Sequence, residues 1–264
     1  MHIDELLQSV SACVPGWFNA EVSEDWAQGR TLFGGLQAML ALRAMRLAMP
    51  EAPPLWSLQT TFIAPVLPGK VRIQVQTLRQ GRAAMQMEAR LMDGEQTAAT
   101  VVAVFGAARE SIVRVAPQPG KPLPDQQEGP ELPFIPGVVP NFTRHYVYRW
   151  LEGGIPFTGS QHPGTRIRLR QRDEGMLEEA HIVALADAIP PPALSLLPQP
   201  TPASTLSWSL EFVRHLPPVA SGEWWRMDAG IVAARDGYSS QDAHLFGPDG
   251  ELVALSRQVV AVFG

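Results

Sequence analysis

VVAVFG, residues Val101 to Gly106, returns letter for letter as Val259 to Gly264. A valine-rich phrase of this kind has the β-branched, apolar character of a buried strand. Other marks recur around it: Phe62 and Phe212 lie 150 residues apart, the Asp-Gly pairs at Asp93 and Asp249 lie 156 apart, and the two hexapeptides lie 158 apart. Element order that is kept while spacing drifts by a few residues is what two copies of one unit leave behind. Each hexapeptide is therefore expected to be the last strand of its own copy, buried on both faces near the middle of a joined sheet.

The neighbouring segments repeat the same plan. LFGGLQAMLALRAMRLAM (Leu32 to Met49) is apolar, free of proline and stopped by Pro50, which predicts a buried helix. WSLQTTFIAPV, KVRIQVQTLRQ, AAMQMEARLM and TAATVVAVF follow, separated by the turn signals PG, QGR and MDGE, and read as an antiparallel meander. In the second copy EEAHIVALADAI takes the helix position, followed by TLSWSLEFVRHL, EWWRMDAGIVAARD, GYSSQDAHLFG and ELVALSRQVVAVFG. Between them VAPQPGKPLPDQQEGPELPFIPGVVP (Val115 to Pro140) is dense in proline, which removes backbone donors and pushes each preceding residue toward extended conformations. The expected division is a first repeat over 1–112, a proline-rich linker over 113–140 and a second repeat over 141–264. The fold class is α+β, with two tandem copies of a helix wrapped by an antiparallel sheet, a double hot-dog.

Composition narrows the functional classes. The 264 residues are 45% hydrophobic and 18% charged, enough to bury a sizeable core. No apolar run approaches the length needed to span a bilayer, and MHIDELLQSV carries acids where a leader peptide would carry bases, so a cytoplasmic protein without a membrane partner is expected. A formal net charge of −5 argues against nucleic acid as a partner. Cys13, the single cysteine, excludes an internal disulfide, and the dispersed histidines predict no metal site. There is no nucleophile elbow, no phosphate-binding P-loop and no dinucleotide fingerprint.

The combination of LFGG at the helix start, TFIAPVLPGKVRIQVQTLRQGRAAMQMEARLMDGE, HIVALAD, STLSWSLEFVR and ARDGYSSQDAHLFGPDGELVALSRQ resembles the type II acyl-CoA thioesterase family, roughly from Val22 to Gly264. The resemblance implies a cofactor-free enzyme that hydrolyses acyl-CoA to free acid and CoA and that self-associates. In that family a helix Asp, a strand Thr or Ser and a late Gln hold and activate a water. By resemblance these roles fall on Asp187, Thr205 and Gln258.

The residues can also be read by themselves. Asp187 follows Ile182, Val183, Ala184, Leu185 and Ala186, and such surroundings desolvate a carboxyl and raise its pKa. The alternative is a helix-terminal acid satisfied by backbone amides before Pro190. Ser204 and Ser207 compete with Thr205 as the hydroxyl. Gln258 interrupts an apolar strand, where its amide either anchors structure or orients a water. Gly34 and Gly35 allow a ligand close to the backbone at a helix start, where free N–H groups stabilise an oxyanion, or else allow tight packing of helix on sheet. The first-copy counterparts of Asp187 and Gln258, taken from the offsets above, are Gln37 and Thr100. That predicts one charged base and one site per chain, with Gln37 contributing from across the seam. An alternating set, Trp56, Phe62, Met85, Met87, Trp208, Leu210 and Phe212, is available to line an acyl slot or fill the core. The alternatives are a non-catalytic acyl-thioester binder or a hot-dog hydratase, whose helix carries a His five residues after its Asp; here that position is Pro192.

Overall fold

The computed structural model describes residues 1–117, 120 and 129–263. In chain order the elements are α1 (Ile3–Ser9), β1 (Ser11–Val14), β2 (Trp17–Val22), α2 (Gly34–Ala48), β3 (Leu55–Phe62), β4 (Gly69–Gln80), β5 (Ala84–Asp93) and β6 (Gln96–Gly106). There follow β7 (Glu131–Leu132), β8 (Tyr146–Glu152), β9 (Gly164–Gln171), α3 (Glu179–Leu185), α4 (Ala193–Leu196), β10 (Ala203–Phe212), β11 (Trp225–Arg235), β12 (Tyr238–Phe246) and β13 (Leu252–Val262). Two-residue ribbons and two short 3₁₀ helices make up the other short elements.

All thirteen strands join one antiparallel sheet in the order β1-β2-β4-β5-β6-β3-β10-β13-β12-β11-β9-β8-β7. Counted outward from the central pair β3 and β10, the two sides present matching strands, which is the duplicated plan. β1, β2, β8 and β9, two per copy, extend each side beyond the meander that turn signals reveal. The short β7 lies inside the expected linker, where Leu132 pairs with Tyr148. Pro130 and Pro133 bracket it, and the outer edge of a sheet is where such a strand is tolerated, because one row of its amides needs no partner. Residues 118, 119 and 121–128 of the expected linker, and Gly264 of the second hexapeptide, lie outside the described residues.

α2 packs against β4, β5, β6 and α3, and its residues Ala38 to Leu42 are fully buried. The two helices run antiparallel. At one end Gly35 touches the Ala184 carbonyl. At the other, Arg46 Nε and Nη2 donate to the two oxygens of Glu179 at 2.9 and 2.8 Å. Glu179 also accepts the Leu55 N–H at 2.9 Å. A bidentate, partly buried pair of this kind fixes orientation as well as adding stability. α3 itself ends at Leu185, four residues before the end of EEAHIVALADAI, so Asp187 stands just beyond a helix rather than in one.

The register decides which residues of the two copies correspond. Across the seam, Leu58 faces Leu210 and Thr60 faces Trp208. Matching the seam strands by an offset of 150, Leu58 corresponds to Trp208. Leu58 pairs with Ala103, and Trp208 pairs with Gln258. The counterpart of Gln258 is therefore Ala103, not Thr100, and Gln241, which pairs with Gln258, corresponds to Met87, which pairs with Ala103. The hexapeptides are three positions out of register. An odd slip reverses the faces of a strand: Val101 is buried inside opposite Thr60, whereas Val259 is half-buried and faces Ser207. They do flank the central pair, but Val102, Val104 and Val259 are only half-buried. At these positions the outer face of the antiparallel sheet is left part-exposed, so burial on both faces does not occur.

Candidate active site

The site forms where the start of α2, the end of α3 and the inner faces of β12 and β13 converge. α2 begins without a side-chain cap at Phe33. Its first intrahelical bond runs from the Gln37 N–H to the Phe33 carbonyl. The N–H groups of Gly34, Gly35 and Leu36 therefore have no partner within their own helix, and the helix dipole adds positive potential there. Asp187 takes up part of that field by accepting the Gly35 N–H. Gly34 has to be glycine: a Cβ there would lie 2.8 Å from Asp187 Oδ2 and 2.9 Å from Phe62 Cζ. A Cβ on Gly35 would lie 2.7 Å from the Ala184 carbonyl and closer still to the Phe33 ring.

Asp187 is half-buried, and its Oδ1 accepts from Gln258 Nε2 at 2.5 Å. Burial pushes its carboxyl up to about 7, against the Gln258 and Gly35 N–H groups, which favour the ionised form. The environment is closed by β8: Tyr148 donates its hydroxyl to the Ala188 carbonyl at 2.9 Å, fixing the chain just past Asp187, and Tyr146 stands beside it. Both phenols are pushed up by burial, with the Asp187 charge adding to the effect, so both stay neutral.

Beside the carboxylate is a cavity of about 10 Å³ with Asp187, Gln241, Ser256 and Gln258 on its polar side and Ile189 and Met227 on its apolar side. That is about the room one water requires. A carboxyl titrating near neutrality, two amides and space for one water can deprotonate that water and aim it.

The sequence-derived residues fall into place unevenly. Asp187, Gln258 and Gly35 meet directly, and Gly34 is the close approach that lets them. Thr205 sits on β10 opposite Val260. A bulge at Leu206 brings it to the inner face that Trp208 and Gln258 share, whereas Ser207 opposite Val259 is turned outward, which removes one competitor. The Thr205 hydroxyl has no hydrogen-bond partner among the described residues and does not line the cavity. Gln37 is buried and does not reach Asp187: its Nε2 donates to the Leu32 carbonyl at 2.7 Å, bracing the first turn of α2. Of the acyl-slot set, Phe62 borders the site at Gly34, whereas Met85, Met87, Trp208, Leu210 and Phe212 are core, and Trp56 is 43% exposed.

The family model described as acyl-CoA thioesterase N-terminal domain matches residues 22–106, and the one described as acyl-CoA thioesterase C-terminal domain matches residues 117–262. The chain belongs to the acyl-CoA thioesterase family. Among curated proteins, none matches it. Among solved structures, a hot-dog protein of unknown function from Alicyclobacillus acidocaldarius is 23% identical with a TM-score of 0.85, over 100% of this chain and 99% of the other. A putative thioesterase II from Thermobifida fusca is 18% identical with a TM-score of 0.83, over 99% and 97%. An acyl-CoA thioesterase II from Mycobacterium marinum is 18% identical with a TM-score of 0.75, over 100% and 99%. These likenesses establish the double hot-dog fold, and family membership makes the chain a thioesterase.

One residue of this thioesterase escapes sequence reasoning. Gln241 donates from Nε2 to Gln258 Oε1 at 2.9 Å. In GYSSQDAHLFG it looks like any polar strand residue. The signal that would have found it is register: its counterpart Met87 and the counterpart of Gln258, Ala103, are both apolar. The polar constellation therefore exists in one copy only.

Proposed function

We propose that the chain hydrolyses an acyl-CoA thioester to a carboxylic acid and free CoA through a water activated by Asp187. The observation that carries this reading is a carboxyl with a pKa of about 7, clamped by Gln258 and the Gly35 amide at an uncapped helix start, beside room for one water. Asp187, ionised, takes a proton from the water as its oxygen bonds to the thioester carbonyl carbon. The carbonyl oxygen, gaining charge, lies at the free N–H groups opening α2. Collapse of the tetrahedral species breaks the C–S bond, and the CoA sulfur leaves with the proton that Asp187 took up. Gln258 holds the carboxylate in line, Thr205 offers a hydroxyl on the same inner face of the sheet, and Gln37 keeps the helix start in place.

The test is release of free thiol from acyl-CoAs of short to long chain, comparing wild type with Asp187→Asn. Turnover that requires Asp187 supports the mechanism and ranks substrates. A folded, fully active Asp187→Asn enzyme removes the mechanism. Binding of acyl-CoA without turnover by wild type, seen as a thermal shift, would assign the chain to acyl-thioester binding instead.

A further inference from the structure

Resting on that reading, we propose that Gln241 is a positioning residue of the hydrolytic centre: its amide nitrogen sets the orientation of Gln258, and its carbonyl oxygen accepts a hydrogen of the attacking water. The direction of the chain of bonds follows from chemistry alone. An ionised carboxylate only accepts, so Gln258 must turn its NH₂ toward Asp187 and its oxygen away. That oxygen meets Gln241, which must then donate, leaving the Gln241 oxygen as the unused end of the relay. This oxygen is buried without a partner, on a side chain only 8% exposed that lines the cavity. A buried amide oxygen left empty costs stability. The arrangement is accounted for if a water fills the cavity, giving one hydrogen to Asp187 and the other to Gln241, with its lone pairs left toward the substrate.

The other titratable groups around Asp187 do not compete for this role. Tyr146 and Tyr148 face it from β8 and stay neutral. Asp242, next along β12, also borders the cavity, but strand alternation turns its side chain to the face opposite Gln241, where it stands across from Arg257.

Gln241→Met tests the proposal, because methionine already occupies the corresponding position, Met87, and fits that strand. Without Gln241 the Gln258 amide is free to rotate, and Asp187 loses a fixed N–H that favoured its ionised form. The expected result is a melting temperature close to wild type, a fall of roughly tenfold or more in kcat/KM, and an acid limb of the pH profile moved to higher pH. Gln241→Asn, which keeps an amide but withdraws it by one methylene, is expected to do the same. A purely structural role would lower the melting temperature and leave the limb in place. Wild-type kcat/KM and an unmoved limb in both variants overturn the assignment of Gln241 alone. A wild type inactive on every thioester overturns the hydrolytic reading and this inference with it.

Discussion

Asp187 is held where its charge is costly, and replacing it with asparagine should therefore raise stability in a way that depends on pH. Its carboxyl moves from an ordinary 3.8 to about 7 in the folded chain. Between those values the folded chain keeps a proton that the unfolded chain has released. The stability associated with the neutral carboxyl is thus complete below about pH 4 and is lost as pH rises through 7. Some three pK units at about 1.36 kcal/mol each set an upper bound of about 4 kcal/mol on that loss. Residual access of the carboxyl to solvent brings it to about half, near 2 kcal/mol. Asparagine never ionises, yet keeps a carbonyl oxygen for the Gln258 and Gly35 N–H groups. The variant and the wild type should therefore melt together near pH 4 and separate by roughly 4–8 °C at pH 8, with the variant higher. Paired thermal melts across this range read the difference directly, since every other titrating group is shared and cancels. A gap that stays flat with pH, or a wild type that is the more stable at pH 8, refutes the placement of a desolvated carboxyl here.

Two further substitutions test the geometry around that carboxyl. Gly34→Ala sets a methyl group 2.8 Å from Asp187 Oδ2 and 2.9 Å from Phe62 Cζ; it should cost about 1–3 kcal/mol in a melt and at least tenfold in thiol release, and full turnover would mean that the close approach is dispensable. Thr205→Ala has no hydrogen bond to lose, so its melting temperature should stay within about 1 °C while turnover falls roughly tenfold, with Thr205→Ser restoring it; unchanged turnover would remove Thr205 from the mechanism.

Much of this is legible in the sequence alone. The apolar run ended by Pro50 marks α2, and the PG, QGR, MDGE and PDG punctuation marks the eight meander strands, because both signals are local. The apolar neighbours of Asp187 announce its shifted carboxyl for the same reason. What stayed hidden depends on register. The bulges at Trp56 and Leu206, and a change of spacing between strands, decide which residues share a face, and neither leaves a mark in composition. GTRIRLRQ does alternate with period two, Arg against Ile and Leu, and could have been read as the strand β9; its arginines, half-buried or buried on the outer face, hide the pattern. Gln241 stayed hidden because a polar residue in a strand is ordinary until its partner is known.

The slipped hexapeptide changes how this molecule would be re-engineered. Copying the site into the first repeat by aligning the identical letters would place the new glutamine at Thr100, three residues from the strand position that faces the helix. Laying strand on strand instead points to Ala103, with Met87 as the place for its companion amide. From Val101 and Val259 onward, matching letters of the two strands face opposite sides of the same wall, so in this chain ancestry is better traced by which residue sits across the ladder than by which residues spell alike.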